Sequence, residues 1–370
     1  MCGQQTASGE RHLPKGNLKK ERSRRVALRS VLAAAAVICM AATTTDSGSF
    51  LVLGSAPRLG LGLAALGRPG YINLGRDRDL AAADSRSPDA MRERAWAVLD
   101  AAWARGVRYF DCARSYGRSE EFLSGWLRER GLTRDAVVVG SKWGYRYTAD
   151  WKVNTGGTPH EVKDHSLEHL ESQLVETDAL LGDNLWLYQI HSATLESGVL
   201  ENQAVLDRLA DLKKSKGWRV GLSLSGPKQA DTLKKAIETG VFDAVQATWN
   251  LLEQRAGAAL SQAKKSGMQV IIKEAMANGR LLEKPALVKA AEKLSAPADA
   301  LALACVMVQD FEPMVLSGAV TVQQLDSNVE AVELAEKLKG EQKAVLDELM
   351  ASLCMDSEAY WSERSALEWS

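Results

Sequence analysis

Gly106-Val107-Arg108-Tyr109-Phe110-Asp111-Cys112-Ala113-Arg114-Ser115-Tyr116-Gly117 runs from an apolar strand pattern into a polar loop. Val107, Tyr109 and Phe110 predict a short buried strand, and Asp111 arrives where the apolar residues end. A carboxylate in that position is costly to bury unless it is paired. Tyr116 follows five residues later, ahead of Gly117 and an acidic helix start, so carboxylate and phenol share the loop at the strand's C-terminal end. Parallel α/β folds bind their ligands at that end.

On both sides of this stretch, strand and helix patterns alternate. Strands are expected at about 58–63, 107–110, 136–141, 184–190, 218–223, 243–247, 268–273 and 314–317, with amphipathic helices between them, for example 93–105, 119–130, 200–214 and 324–337. Eight strands in strict alternation favour a closed parallel sheet. The fold expected is therefore α/β, a (β/α)8 TIM barrel over residues 57–340, with a targeting segment at 1–42 and a C-terminal helix and tail at 341–370. Two long connections, 68–90 and 143–161, leave strand ends and should overhang the pocket. The second carries Trp143, Tyr145, Tyr147 and Trp151. The tail's aromatics, Tyr360, Trp361 and Trp369, either fold over the barrel mouth or cap a surface.

The net charge of -1 hides an asymmetry, because residues 1–42 hold eight Lys or Arg against Glu10 and Glu21 and so carry +6, leaving -7 on the remainder. A mildly acidic body without a basic stripe argues against nucleic-acid binding. The basic stretch leads into Val31–Ala42, an apolar run of twelve. Spanning a bilayer takes about 20 residues, so no stable membrane span is expected in the mature protein, and the run fits a cleavable h-region. Ser23-Arg24-Arg25 followed by Leu28 resembles a twin-arginine export signal. A plastid or exported destination is the expectation, and a cytoplasmic one if the segment stays uncleaved as a disordered basic arm. Cys2, Cys39, Cys112, Cys305 and Cys354 have no metal-type spacing and suggest neither a disulfide framework nor a zinc site.

Asp111, Ala113, Tyr116, Gly117, Ser119 and Glu120 together resemble the Asp-x-Ala-x-x-Tyr-Gly-x-Ser-Glu motif of the aldo-keto reductase family. Three further family motifs follow in order: Gly140-Ser141-Lys142, then Leu187-Tyr188-Gln189-Ile190-His191-Ser192, then Val245-Gln246 ahead of Trp249-Asn250-Leu251-Leu252-Glu253. The resemblance covers residues 57–337 and implies a barrel that reduces an aldehyde or ketone with a nicotinamide cofactor, NADP(H) or else NAD(H).

The residues support that chemistry in their own right. Hydride reduction of a carbonyl requires a proton at the oxygen, and Tyr116 can supply it, although a free phenol has a pKa of about 10. Lys142, at the end of strand three, would lower that value, Asp111 would hold the ammonium in place, and His191, at the end of strand four, would orient the carbonyl. One such residue at a strand end is more often structural. Four at the ends of three neighbouring strands are not readily a chance assembly, and the resemblance makes these four the catalytic tetrad. His160, His165 and His169 lack a His-Glu-x-x-His setting and read as surface or hinge residues, so no metal is called for.

For the cofactor, the resemblance implies Ser223 and Gln246 as partners of the nicotinamide carboxamide, Trp249 as the ring that stacks on it, Gly279 and Gly318 beside the phosphates, and Gln324 and Asn328 at the adenine end. Departures stand beside these matches. Leu224 replaces an Asn, Ala275 and Ser317 replace prolines, and Val320 falls where a cation commonly meets the 2′-phosphate of NADP. Arg280, in the loop after strand seven, is the residue expected to reach in instead. The alternatives are a barrel that binds the cofactor as a redox sensor without turnover, and a lyase or hydrolase acting through a Schiff base on Lys142. Substrate identity and oligomeric state are not legible in the chain.

Overall fold

The computed structural model describes residues 56–80 and 85–370, so the basic N-terminal stretch and its apolar run lie outside the described residues. In chain order the strands are β1 (Leu59–Gly62), β2 (Tyr109–Asp111), β3 (Val138–Trp143), β4 (Tyr145–Tyr147), β5 (Glu161–Lys163), β6 (Leu185–Ala193), β7 (Arg219–Leu224), β8 (Ala244–Thr248), β9 (Gln269–Lys273) and β10 (Met314–Ser317). Eight of them, all but β4 and β5, pair in parallel and close into a barrel in the order β1-β10-β9-β8-β7-β6-β3-β2. Every strand expected from the alternation is present. Helices cover the sheet outside, which is why β9 is buried on both faces and apolar through its centre, Val270-Ile271-Ile272.

The barrel interior has its own small core. Tyr109, Val138, Leu187, Ala244, Ile271 and Leu316, one from each of six strands, form a cluster separate from the large sheet–helix core. Tyr109 fits because Gly60, its partner on β1, and Gly140, two residues beyond its partner Val138 on β3, have no side chain. A Cβ on Gly60 would stand 2.7 Å from Tyr109 Cδ1, and one on Gly140 would stand 2.5 Å from its hydroxyl. With both side chains absent, the Tyr109 hydroxyl reaches 3.1 Å from Asp111 Oδ1 and fastens the interior to the site above it.

Several boundaries differ from the sequence reading. The helix expected from residue 93 begins at Pro88, because Ser87 Oγ accepts from the Ala90 N–H and proline suits the first turn. The helix expected over 324–337 is two, Val322–Val329 and Ala331–Lys339. The connection 143–161 contains the start of an antiparallel hairpin, β4 with β5, that pairs Tyr145 with Lys163. The tail folds as two helices, Lys343–Leu353 and Ser357–Ser365. Its last residue pairs with the first long loop: Tyr71 N donates to Ser370 O and Ser370 N to Tyr71 O, each at 3.0 Å.

Candidate active site

Asp111, Lys142 and His191 converge from the C-terminal ends of β2, β3 and β6, with Tyr116 from the loop after β2. Lys142 is wholly buried, forms a short ion pair with Asp111 Oδ2, and donates to Cys112 O at 2.9 Å. The other carboxylate oxygen accepts from Tyr109 at 3.1 Å, Gln246 Nε2 at 2.9 Å and Gln189 Nε2 at 3.4 Å. A buried pair offsets its desolvation only with further hydrogen bonds, and these three supply them to the carboxylate. The ammonium lies 4.8 Å from the centre of the Tyr116 ring.

His191 is aimed by an irregularity in β6. The β6–β7 register shifts between Ile190 and Ala193, and Ser192 adopts φ 53°, so the strand turns just as it presents the imidazole. Ser223 Oγ holds that turn by accepting from Ser192 N at 2.8 Å, and His165 Nε2 lies 2.9 Å from His191 O. Tyr145 packs edge-on against the ring with centroids 4.9 Å apart. The imidazole then meets Tyr116 Oη at Nε2 and Ser115 Oγ at Nδ1, each 3.3 Å away. His165, expected as a surface or hinge residue, is therefore a support of the site.

Burial, with Lys142 and Lys273 nearby, holds the His191 pKa well below its ordinary value, so the ring is neutral at physiological pH. The Tyr116 phenol moves the other way from the sequence expectation. Burial first, and then the charge of Asp111, pushes it well above 10. The physical reason is that Asp111 cancels the Lys142 ammonium at close range, leaving desolvation to decide. Tyr116 is thus a firmly protonated donor.

Two connected clefts form a groove across the barrel mouth. The first is lined by Asp111, Tyr116, Gln246, Lys273 and Ser317, and it shares Asn73, Met276, Asn278, Gly279 and Gly318 with the second. The second continues to Gln324 and Asn328. A nicotinamide dinucleotide fits this lining on two counts. The buried Oδ1 of Asn278, on the wall of both clefts, has no hydrogen-bond partner. A Cβ built on Gly318 meets nothing nearer than Asn73 Nδ2 at 4.0 Å and would project into the groove.

Gln246, Gly279, Gly318, Gln324 and Asn328 thus lie along one groove, whereas three other candidates do not line it. Ser223 is buried beneath the His191 turn. Trp249, expected to stack on the nicotinamide, is 2% exposed, packs on Phe311 with centroids 5.6 Å apart, and donates to Gln254 O at 3.2 Å. The short connection after β8 turns that indole into the helix layer. Arg280 is drawn to the C-terminal helix, pairing with Glu363 at 3.0 Å and lying over Tyr360. The far end of the groove instead carries Asp79 and Asp299, which accept from Gln324 and Asn328 at 2.8 Å each, and the buried Arg76.

The sequence reading passed over a third cleft, outside Tyr116, lined by Arg68, Tyr71, Glu161, His191, Lys273, Glu274, Arg364 and Trp369. Lys273-Glu274 ends an apolar strand just as Asp111 does, and that signal was there to be read. Trp369 stacks on His160 at 4.0 Å with planes 3° apart, so the tail folds over the barrel mouth.

The sequence profile of the aldo/keto reductase family matches residues 59–351. A D-threo-aldose 1-dehydrogenase from a Pseudomonas species is 26% identical over 209 residues, which is 51% of this chain and 61% of that protein. An uncharacterised oxidoreductase of Bacillus subtilis is 24% identical over 202 residues, 52% of this chain and 60% of that protein. The chain therefore spans about three fifths of the length of these relatives. The holo form of an aldo-keto reductase from Bacillus halodurans shares the fold, with a TM-score of 0.58, 19% identity, and coverage of 79% of this chain and 91% of that one.

Proposed function

Because the chain belongs to the aldo/keto reductase family, we propose that it reduces an aldehyde or ketone to an alcohol at Tyr116 and His191, using NADP(H) or NAD(H). The observation that carries this reading is the meeting of Tyr116 Oη and His191 Nε2, 3.3 Å apart, where the groove opens onto the outer cleft. Gln246, Asn278, Gly279, Gly318, Gln324 and Asn328 would hold the dinucleotide, which supplies hydride when bound. Everything else falls to the chain. The carbonyl oxygen docks between the phenol and the neutral imidazole, and both polarise it. As negative charge develops on that oxygen, Tyr116 transfers its proton. A neutral imidazole suits this role, since it donates a hydrogen bond without competing for the proton.

Lys142 and Asp111 act from below. The ammonium lies 4.8 Å from the Tyr116 ring, and Asp111 fixes it there while offsetting its charge, so the phenol keeps its proton until the substrate oxygen takes it. The same closure argues against Schiff-base chemistry on Lys142, whose side chain is wholly buried and held by Asp111 and Cys112 O.

The test is fluorescence titration of the purified protein with NADPH and NADH, followed by a panel of aldehydes. Turnover is expected. Tight cofactor binding without turnover on any aldehyde would favour the redox-sensor reading instead.

A further inference from the structure

Lys273 ends β9 on the wall between the groove and the outer cleft, and it lines both together with Tyr116. The outer cleft carries three cations, Arg68, Lys273 and Arg364, against two carboxylates, Glu161 and Glu274. Each carboxylate is closed by an arginine. Arg68 Nη1 pairs with Glu161 at 3.0 Å, and Arg364 Nε grips both oxygens of Glu274 at 3.0 and 2.9 Å. Lys273 is left with a weaker set: Nζ donates to the neutral Thr248 Oγ1 at 3.1 Å and stands 3.9 Å from Glu274.

The remaining charges around it do not make up the deficit. Lys142 faces it already paired with Asp111, His191 is neutral, and Arg364 repels it. Burial, only partly offset by Glu274, brings its pKa down to about 8, so it is still charged at neutral pH. An ammonium on a side chain that is 16% exposed, on a cleft wall, with donors to spare and its one carboxylate shared with Arg364, is a ready partner for an entering anion.

We propose that the substrate of this site is an anionic carbonyl compound, a short oxo acid or a phosphorylated aldehyde, whose carbonyl oxygen meets Tyr116 and His191 while its anionic group pairs with Lys273. This rests on the carbonyl-reducing reading of the same site and adds the charge of the substrate to it. Tyr116, His191 and Lys273 line one cleft, so only a few bonds separate the two groups in the ligand. Lys273 is then a specificity-determining residue, and its effect belongs in KM.

The experiment compares kcat/KM for two pairs: succinic semialdehyde with its neutral methyl ester, and glyceraldehyde 3-phosphate with glyceraldehyde. Wild type, Lys273→Met and Lys273→Arg are measured with NADPH at pH 7, after thermal melts show both variants folded; Lys273→Gln replaces any that is not. Wild type should favour the anionic member of one pair by at least tenfold, mostly through KM, and that pair identifies the anion as carboxylate or phosphate. The preference should fall to near one in Lys273→Met and largely survive in Lys273→Arg. A wild type that takes the neutral members equally well, or a preference unmoved in Lys273→Met, overturns the proposal and leaves carbonyl reduction standing. Calorimetric titration with succinate and with inorganic phosphate reads the anion subsite without turnover. Binding that is lost in Lys273→Met supports the subsite even if none of the four carbonyls reacts, an outcome that would count against the reductase reading alone; no binding to wild type counts against the subsite.

Discussion

Tyr116 Oη lies 3.3 Å from Nε2 of His191, while Ser115 Oγ lies 3.3 Å from Nδ1 of the same ring. The imidazole is therefore anchored at one nitrogen and paired with the phenol at the other. A substrate oxygen entering between them meets two donors on fixed supports.

Tyr116→Phe removes the proton and keeps the ring. Turnover should fall by about 10²- to 10⁴-fold, the usual range for a general acid. The dissociation constant for NADPH, read by fluorescence titration, should stay that of wild type. A variant keeping more than about a tenth of wild-type turnover would take Tyr116 out of this role.

Asp111→Asn leaves the Lys142 ammonium buried without its counter-charge, with only neutral oxygens such as Cys112 O to accept from it. Uncovering one partner of a buried pair costs about 3 to 5 kcal/mol, and replacing both can be nearly neutral. The melting temperature should therefore drop sharply in Asp111→Asn and recover in part when Lys142→Met is added. Additive losses in the double variant would show that the pair is not coupled.

Glu274 is the acid-sensitive link between the barrel and its C-terminal helix. Burial alone would raise its pKa, but Arg364 and Lys273 outweigh that and bring it down to about 2. The unfolded carboxyl titrates near 4.3, so its stabilisation is complete above about pH 4.3 and is lost as the pH falls towards 2, at roughly 3 kcal/mol in all. Melting curves of wild type and Glu274→Gln should differ clearly at pH 7 and converge towards pH 2. A gap that stays constant with pH would exclude this linkage.

Cofactor choice should be loose. At the far end of the groove Asp79 and Asp299 outnumber the buried Arg76, Val320 offers no charge, and Arg280 is committed to Glu363. NADH should be used within about a hundredfold of NADPH, equivalent to roughly 2.7 kcal/mol, and Val320→Arg should widen the gap. The ratio of kcat/KM for the two cofactors decides it. A preference above about a thousandfold, unmoved by the arginine, would place the phosphate site elsewhere.

The cleavable segment proposed for residues 1–42 is tested by N-terminal sequencing of native protein, which should begin beyond it. Recovery of Met1 or Cys2 would leave the uncleaved basic arm.

The barrel and its four central residues were legible because both are written locally. Short apolar runs alternating with helical patterns specify strands and helices, and Asp111, Lys142 and His191 stand out as polar groups at the ends of apolar strands. Trp249 shows where local reading stops, since an aromatic after a strand can enter the cleft or the helix layer, and packing against Phe311 decided for the latter. The upward shift of the Tyr116 pKa was equally hidden, because it depends on how completely Asp111 neutralises Lys142 once all three are buried. The outer cleft is tertiary in the fullest sense. Arg364 reaches Glu274 across 90 positions of chain and Ser370 reaches Tyr71 across 299, and such contacts follow from where the closed barrel delivers its ends, which no local pattern encodes.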